Sequence, residues 1–382
     1  MISETDQHLQ FATAFGRTVL ENLQDQHGAA NWDYLRFGRR EDFLRRALKT
    51  VCRTANLLLR PLGVCLVRNR RLPDQFESVM RTHGQGLADL YSMLDDAYSK
   101  RLLIEVIAYR LLGYSRMKLS TNPALFQALA QVRKLTVAGD HVDPHFRDWQ
   151  LSRFDLSSLG YPISLYAMPT SIASTFLRRD YAYERITPPV GPSAGDYVID
   201  AGAAWGDTAL FFAWKAGATG RVFSFELEPV NLTILQRNLE LNPDLAPRIE
   251  VVAKALWSKP DVPLSFASNG PGTRVGETGA SGVEHTVTTT TIDAVCRALP
   301  RVDFIKMDIE GAELPALHGA VDTLRRFHPR LAISLYHNLE DFTTIPRFLA
   351  GLNLDYRYYL GHFSIHQEET ILFAAPRTPP AR

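Results

Sequence analysis

From Tyr197 onward, short apolar runs alternate with helical stretches, and this alternation constrains the fold more than any other feature of the chain. Tyr197–Asp200, Arg221–Glu226, Ile249–Ala253, Asp303–Asp308 and Arg330–Leu335 each read as a short strand. Helical patterns fill Thr208–Trp214, Pro229–Leu241, the stretch up to Arg326, and Thr344–Leu352. Two strand-like segments, Tyr356–Leu360 and Thr370–Ala374, close the pattern. Strands joined by helices build a parallel sheet covered on both faces. The expectation is a doubly wound, mostly parallel, seven-stranded α/β sheet of Rossmann-like type. Because the closing pair reads as a hairpin, the last strand is expected to run antiparallel.

Upstream, the patterning is mostly helical. Leu44, Ala47, Leu48, Val51, Ala55 and Leu58 form one apolar stripe, and a second helical run covers Leu87 to Leu112. Tyr161–Met168 reads as extended chain and Ser171–Arg179 as a short helix. The boundary is Pro188–Gly195, with three prolines and two glycines in eight residues. It divides the 382 residues into an accessory region, 1–187, and a ligand-binding domain, 188–376. Residues 377–382 are expected to be a flexible tail. A chain of this length fits two units at about 100–200 residues per domain.

Charge and cysteine usage remove several function classes. A formal net charge of +1 gives no basic field for nucleic acid, so none is expected as a partner. Three cysteines are too few for a disulfide framework or a four-thiolate zinc site. The polar start Met1-Ile-Ser-Glu-Thr-Asp-Gln7 is unlike a secretory leader, and no stretch approaches the roughly 18 apolar residues of a membrane span. A cytoplasmic protein is expected. Residues 39–71 hold ten Lys and Arg against two acidic residues. That segment reads either as the solvated face of a helix or as a peripheral contact with an anionic membrane.

The loop after the first strand of the alternating half is Asp200-Ala-Gly202-Ala-Ala-Trp-Gly206-Asp207. Ligands of open α/β sheets sit beyond the carboxyl ends of the strands. Two glycines spaced G-x-x-x-G are one short of the dinucleotide fingerprint, and no P-loop occurs. Glu226 ends the second strand, where a carboxylate can accept both hydroxyls of a ribose. An acid there, with no phosphate cradle, points to a nucleoside without pyrophosphate. S-adenosylmethionine fits, its methionine part facing the glycine loop with Asp200, Gly202 and Gly206, and its ribose facing Glu226. Ala255, just past the third strand, marks the adenine side by fold analogy.

Val198-Ile-Asp-Ala-Gly-Ala-Ala-Trp-Gly206, Phe225-Glu226 and Asp303-Phe-Ile-Lys-Met-Asp-Ile-Glu-Gly-Ala-Glu313 resemble the FkbM family of class I methyltransferases. The resemblance continues through Ile333–His337, Tyr358–His362 and Glu369–Phe373, about residues 181–375 in all. It implies a seven-stranded class I sheet and transfer of a methyl group from S-adenosylmethionine, usually to oxygen. Where family members often read F-E-P-x-P, this chain has Phe225-Glu226-Leu227-Glu228-Pro229. Glu226 is retained, and Leu227 takes the proline's place among the cofactor-side residues.

Asp308 ends the fourth strand, where this fold places the residue nearest the methyl donor. Methyl transfer is an in-line displacement that depends on alignment, and a hydroxyl acceptor must also lose a proton. Asp308 and His337 are the candidates to take it. Lys306 and Glu310 complete the catalytic set, since residues 306, 308 and 310 share a side if the strand continues. If a helix begins there, Glu310 turns away, and Glu310 and Glu313 become first-turn acids favoured by its dipole. Asp308, Glu310 and His337 are also the residues able to hold a divalent ion, although no metal is assigned. His362 and His366 lack a fixed zinc geometry. The expected reaction is O-methylation of a small-molecule or glycan acceptor. The rivals are a non-catalytic nucleoside-binding module and, lacking its third glycine, a nicotinamide oxidoreductase.

Overall fold

The computed structural model describes residues 4–23, 27, 31, 72–146, 148–276 and 284–378. The basic segment 39–71, with the stripe from Leu44 to Leu58, lies outside them, as do residues 379–382 of the expected tail. Arg377 is tied in place: its amide donates to the Asp355 carbonyl at 3.0 Å.

The N-terminal part contains α1 (Glu4–Asn22), α2 (Leu72–Met93), α3 (Ala97–Leu112) and α4 (Asn122–Val132). The helical run expected over 87–112 is two helices. The chain breaks at Leu94, which bridges to Tyr358, and the Asp95 amide donates to the Tyr358 carbonyl at 2.8 Å. Asp96 then caps α3, accepting from the Ser99 amide at 2.6 Å. An antiparallel sheet of β1 (Thr136–Val142), β2 (Leu151–Asp155) and β3 (Ser164–Ala167) follows. The segment expected to be a short helix is α5 (Pro169–Ile172) running into a π-turn over Ala173–Arg178.

Past the proline-rich loop come β4 (Tyr197–Ala201), α6 (Asp207–Ala216), β5 (Arg221–Phe225), α7 (Pro229–Glu240) and β6 (Ile249–Val252). The next stretch, which shows no clear sequence pattern, carries β7 (Ala255–Leu256), β8 (Pro263–Ala267), β9 (Arg274–Gly276) and β10 (Glu284–Thr290), ordered β7-β10-β8-β9. After α8 (Ile292–Cys296) the alternation resumes with β11 (Phe304–Met307), α9 (Glu313–His318), α10 (Val321–Phe327) and β12 (Arg330–Ser334). The chain ends with α11 (Asp341–Gly351), β13 (Tyr356–His362) and β14 (Thr370–Pro376).

The main sheet has seven strands in the order β13-β14-β12-β11-β4-β5-β6. β12, β11, β4, β5 and β6 pair in parallel, whereas β14 is antiparallel to both β12 and β13. The sheet is therefore mixed, with only its last strand reversed. Successive residues alternate between two cores, as the period of a strand requires. Ile199, Ala201, Ile305, Met307, Leu331 and Ile333 meet Phe11 of α1, Leu90 of α2, Ile107 of α3 and Phe342 of α11. Val198, Phe304, Ala332 and Phe373 meet Leu210 and Phe212 of α6 and Leu235 of α7. Covered on both sides, the central strands carry the continuous apolar runs that mark buried parallel strands. The described N-terminal helices share this core with the sheet. Among the described residues no helix is long and apolar enough to cross a membrane.

Candidate active site at the carboxyl ends of the strands

β4, β5 and β11 end side by side, and a cleft opens beyond them. Its wall includes Gly202, Glu226, Leu227, Ala255, Asp308 and Glu310. Six of the sequence-derived candidates thus converge on one space. Gly202 sits at φ +87, and a Cβ there would lie 1.9 Å from the Asp308 carbonyl oxygen, so the two strand ends approach as closely as they do only because the side chain is absent.

Three other candidates stand behind the wall. Lys306 is buried, and its Nζ donates to the carbonyls of Ala201, at 3.0 Å, and Gly202. It lies 3.3 Å from Asp200 Oδ1, while Asp200 Oδ2 accepts from Thr208 Oγ1 at 2.9 Å and Ser224 Oγ at 3.4 Å. Lys306 and Asp200 therefore brace the glycine loop from below, so the catalytic reading of Lys306 and the ligand-facing reading of Asp200 give way to a positioning one. The physical reason is that a lysine on a strand covered on both faces needs an internal anion and buried carbonyls. Gly206 begins α6 and packs against Leu235 instead of facing the cleft. Trp205 is also withdrawn, in ring contact with Trp149.

Glu226 is half-buried at the end of β5. Its Oε1 accepts from the Leu227 and Glu228 amides, each at 2.8 Å, which fixes the carboxylate at the cleft. Desolvation pushes this carboxyl up to about 7, even though those amide bonds favour the ionised form.

Asp308 is the centre of a polar cluster. Tyr181 Oη donates to its Oδ2 at 2.7 Å, and Tyr336 Oη lies 3.0 and 3.1 Å from its two oxygens. His337 Nε2 is 3.3 Å from Asp308 Oδ1 and 3.5 Å from Glu310 Oε2, while its Nδ1 is 3.1 Å from Glu313 Oε1. Burial alone would raise Asp308. His337, Lys306 and the two phenols outweigh it and hold the carboxyl below the ordinary carboxylate range. Burial would likewise lower His337, but the carboxylates around it raise it to about 11. Both phenols are pushed well above 10, by burial first and by Asp308 next, so they are donors at neutral pH.

Glu310 does not continue the strand. It adopts φ +57, and its carboxylate turns back toward His337 and Arg274, whose Nε lies 3.7 Å away. Glu313 accepts from the Ile309 and Gly311 amides at 2.8 and 3.0 Å, holding the turn. Tyr181 and Tyr336 were not singled out by sequence. Tyr336 carried a usable signal, since it precedes His337 at the end of the strand beside β11; Tyr181 carried none. His362 and His366 serve separate partners, Thr370 Oγ1 at 2.8 Å and Tyr109 Oη at 2.9 Å.

Residues 194–358 match the family model described as Methyltransferase FkbM domain. No curated protein matches the chain. Among solved structures, the methyltransferase FkbM from Methylobacillus flagellatus KT is 19% identical, with a TM-score of 0.51 over 88% of this chain and 72% of that one. At that identity the likeness is one of fold. Aeropyrum pernix fibrillarin, solved with natively bound S-adenosyl-L-methionine, is 14% identical with a TM-score of 0.32, covering 48% of this chain and 67% of its own. A putative rRNA methylase from Clostridium thermocellum is 13% identical with a TM-score of 0.34, covering 48% and 88%. The matched stretch, residues 194–358, is similar to an FkbM methyltransferase domain and contains the whole glycine loop, Glu226, Asp308 and His337.

Proposed function

We propose that the chain transfers a methyl group from S-adenosylmethionine to a hydroxyl of a small-molecule or glycan acceptor. The observation that carries this reading is the convergence of Gly202, Glu226, Ala255 and Asp308 on a single cleft beyond the strand ends. The residues present suit the donor: a fixed carboxylate for the ribose hydroxyls at Glu226, small side chains where the adenine edge would lie, and an anion at Asp308 on the side of the sulfonium. When bound, S-adenosylmethionine supplies an electrophilic methyl group.

The chain's own part is positioning and proton handling. Lys306 and Asp200 keep the glycine loop in register with Asp308. Asp308, anionic at neutral pH, orients the acceptor hydroxyl and receives its proton as the oxygen–carbon bond forms. An oxygen bonded to methyl while still protonated is far more acidic than a carboxylic acid, so a base weakened by Tyr181, Tyr336 and His337 is adequate.

The test is thermal unfolding with and without S-adenosylmethionine and S-adenosylhomocysteine. A ligand at 100 times its Kd adds about 2.7 kcal/mol of stability. The expected result is an upward shift with both, lost in Glu226→Ala. No shift, together with no heat of binding in calorimetry, refutes the proposal.

A further inference from the structure

We propose that Asp308, Glu310 and His337 form a binding site for a first-row divalent cation of the manganese-to-zinc series, with Glu313 seated behind the histidine. His337 has a side chain only 1% exposed, yet neither ring nitrogen has a partner in hydrogen-bond geometry among the described residues. Two carboxylate oxygens lie 3.3 and 3.5 Å from Nε2 without either standing in line with an N–H bond. Donors held at about 2.0–2.2 Å from a shared ion are themselves separated by roughly 3.0–3.5 Å. The two distances from His337 Nε2 fall at that spacing.

The opposite side of the ring has the matching arrangement. Metal-bound histidines present their second nitrogen to a carboxylate or carbonyl. Glu313 Oε1 lies on that side, 3.1 Å from Nδ1 but out of line with an N–H bond, and two backbone amides hold its carboxylate there. The donor atoms of Asp308, Glu313 and His337 all fall within 4.8 Å of one another. Tyr181 and Tyr336 hold Asp308 in turn. Three carboxylates converge on one ring, so a single ring proton offsets one of their charges whereas a dication offsets two.

The donor set selects the ion. One imidazole with two carboxylates is softer than the all-oxygen cages of calcium and magnesium, and no thiolate is present to favour copper(I). Three protein donors leave coordination positions open. Because Asp308 and Glu310 line the cleft, those positions face it, and two neighbouring hydroxyls of an acceptor can fill them. That last role rests on the methyl-transfer reading; the binding of the ion does not.

Chelator-treated full-length protein titrated with Co²⁺, followed by visible absorption and calorimetry, tests the site. The expected result is one equivalent bound, with ligand-field bands of a nitrogen–oxygen site. Glu310→Gln and His337→Gln should each weaken binding at least tenfold, and Glu313→Gln by about 10–100-fold. Glu310 is partly exposed at a turn, so its variant keeps the test sound if the histidine variant fails to fold. Wild-type protein that binds S-adenosylhomocysteine but takes up no Co²⁺ overturns this proposal alone. Equal uptake by folded Glu310→Gln and wild type places the ion elsewhere and also overturns it. Co²⁺ uptake without S-adenosylhomocysteine binding leaves the site standing and removes the donor reading.

Discussion

Replacing Lys306 with methionine separates bracing from catalysis. The side chains of Lys306 and Asp200 are 2% and 0% exposed, and their charged atoms lie 3.3 Å apart. Methionine fills nearly the same volume but removes the ammonium, leaving the Asp200 carboxylate with the Thr208 and Ser224 hydroxyls at 2.9 and 3.4 Å. Breaking one side of a buried pair costs about 3–5 kcal/mol, chiefly the penalty of the abandoned charge. The carbonyls of Ala201 and Gly202 lose their donor as well, so the glycine loop should relax and affinity for S-adenosylhomocysteine should fall with stability. Urea denaturation followed by circular dichroism measures the loss, and Asp200→Asn with the double variant completes a thermodynamic cycle. Removing both charges should cost less than the sum of the single losses, with a coupling of roughly 0.5–3 kcal/mol. Lys306→Met within about 0.5 kcal/mol of wild type, or strictly additive variants, would refute the bracing argument. A chain that keeps its stability and ligand affinity while losing only turnover would restore Lys306 to the catalytic set.

Glu226 predicts a pH dependence of cofactor binding. Its carboxyl holds a proton up to about pH 7 in the ligand-free protein, whereas ribose hydroxyls donate to the ionised form. Affinity for S-adenosylhomocysteine should therefore rise with pH up to about 7 and level off above it, a slope that calorimetry should find missing in Glu226→Gln. For the ligand-free fold the sign is opposite: with a folded value above the ordinary one, the contribution to stability is present at low pH and lost as pH rises through about 7. Gly202→Ala should abolish ligand binding and lower the unfolding midpoint. Its left-handed backbone alone costs about 1–2 kcal/mol, and the methyl group would also collide with the Asp308 carbonyl; a fully stable, ligand-binding variant would show that the strand ends separate freely.

The alternating half of the chain was legible because buried parallel strands and amphipathic helices write periods of two and near four into the sequence. The strand ends follow from those periods, which is why the sequence alone puts Gly202, Glu226 and Asp308 at one edge of the sheet, where the cleft lies. The small sheets were less legible. In β1 the alternation is interrupted by Gly139 at φ +74, and in β10 a run of threonines offers no apolar face to count. The direction of Lys306, the backward turn of Glu310 and the approach of Tyr181 were decided by tertiary structure alone. Each depends on which groups lie across the sheet or far along the chain, as with the bond between Tyr181 and Asp308, 127 positions apart. Sequence spacing orders residues along one element; whether a charge meets solvent, a cleft or a buried counter-charge depends on the elements packed around it, and only the folded chain brings those together.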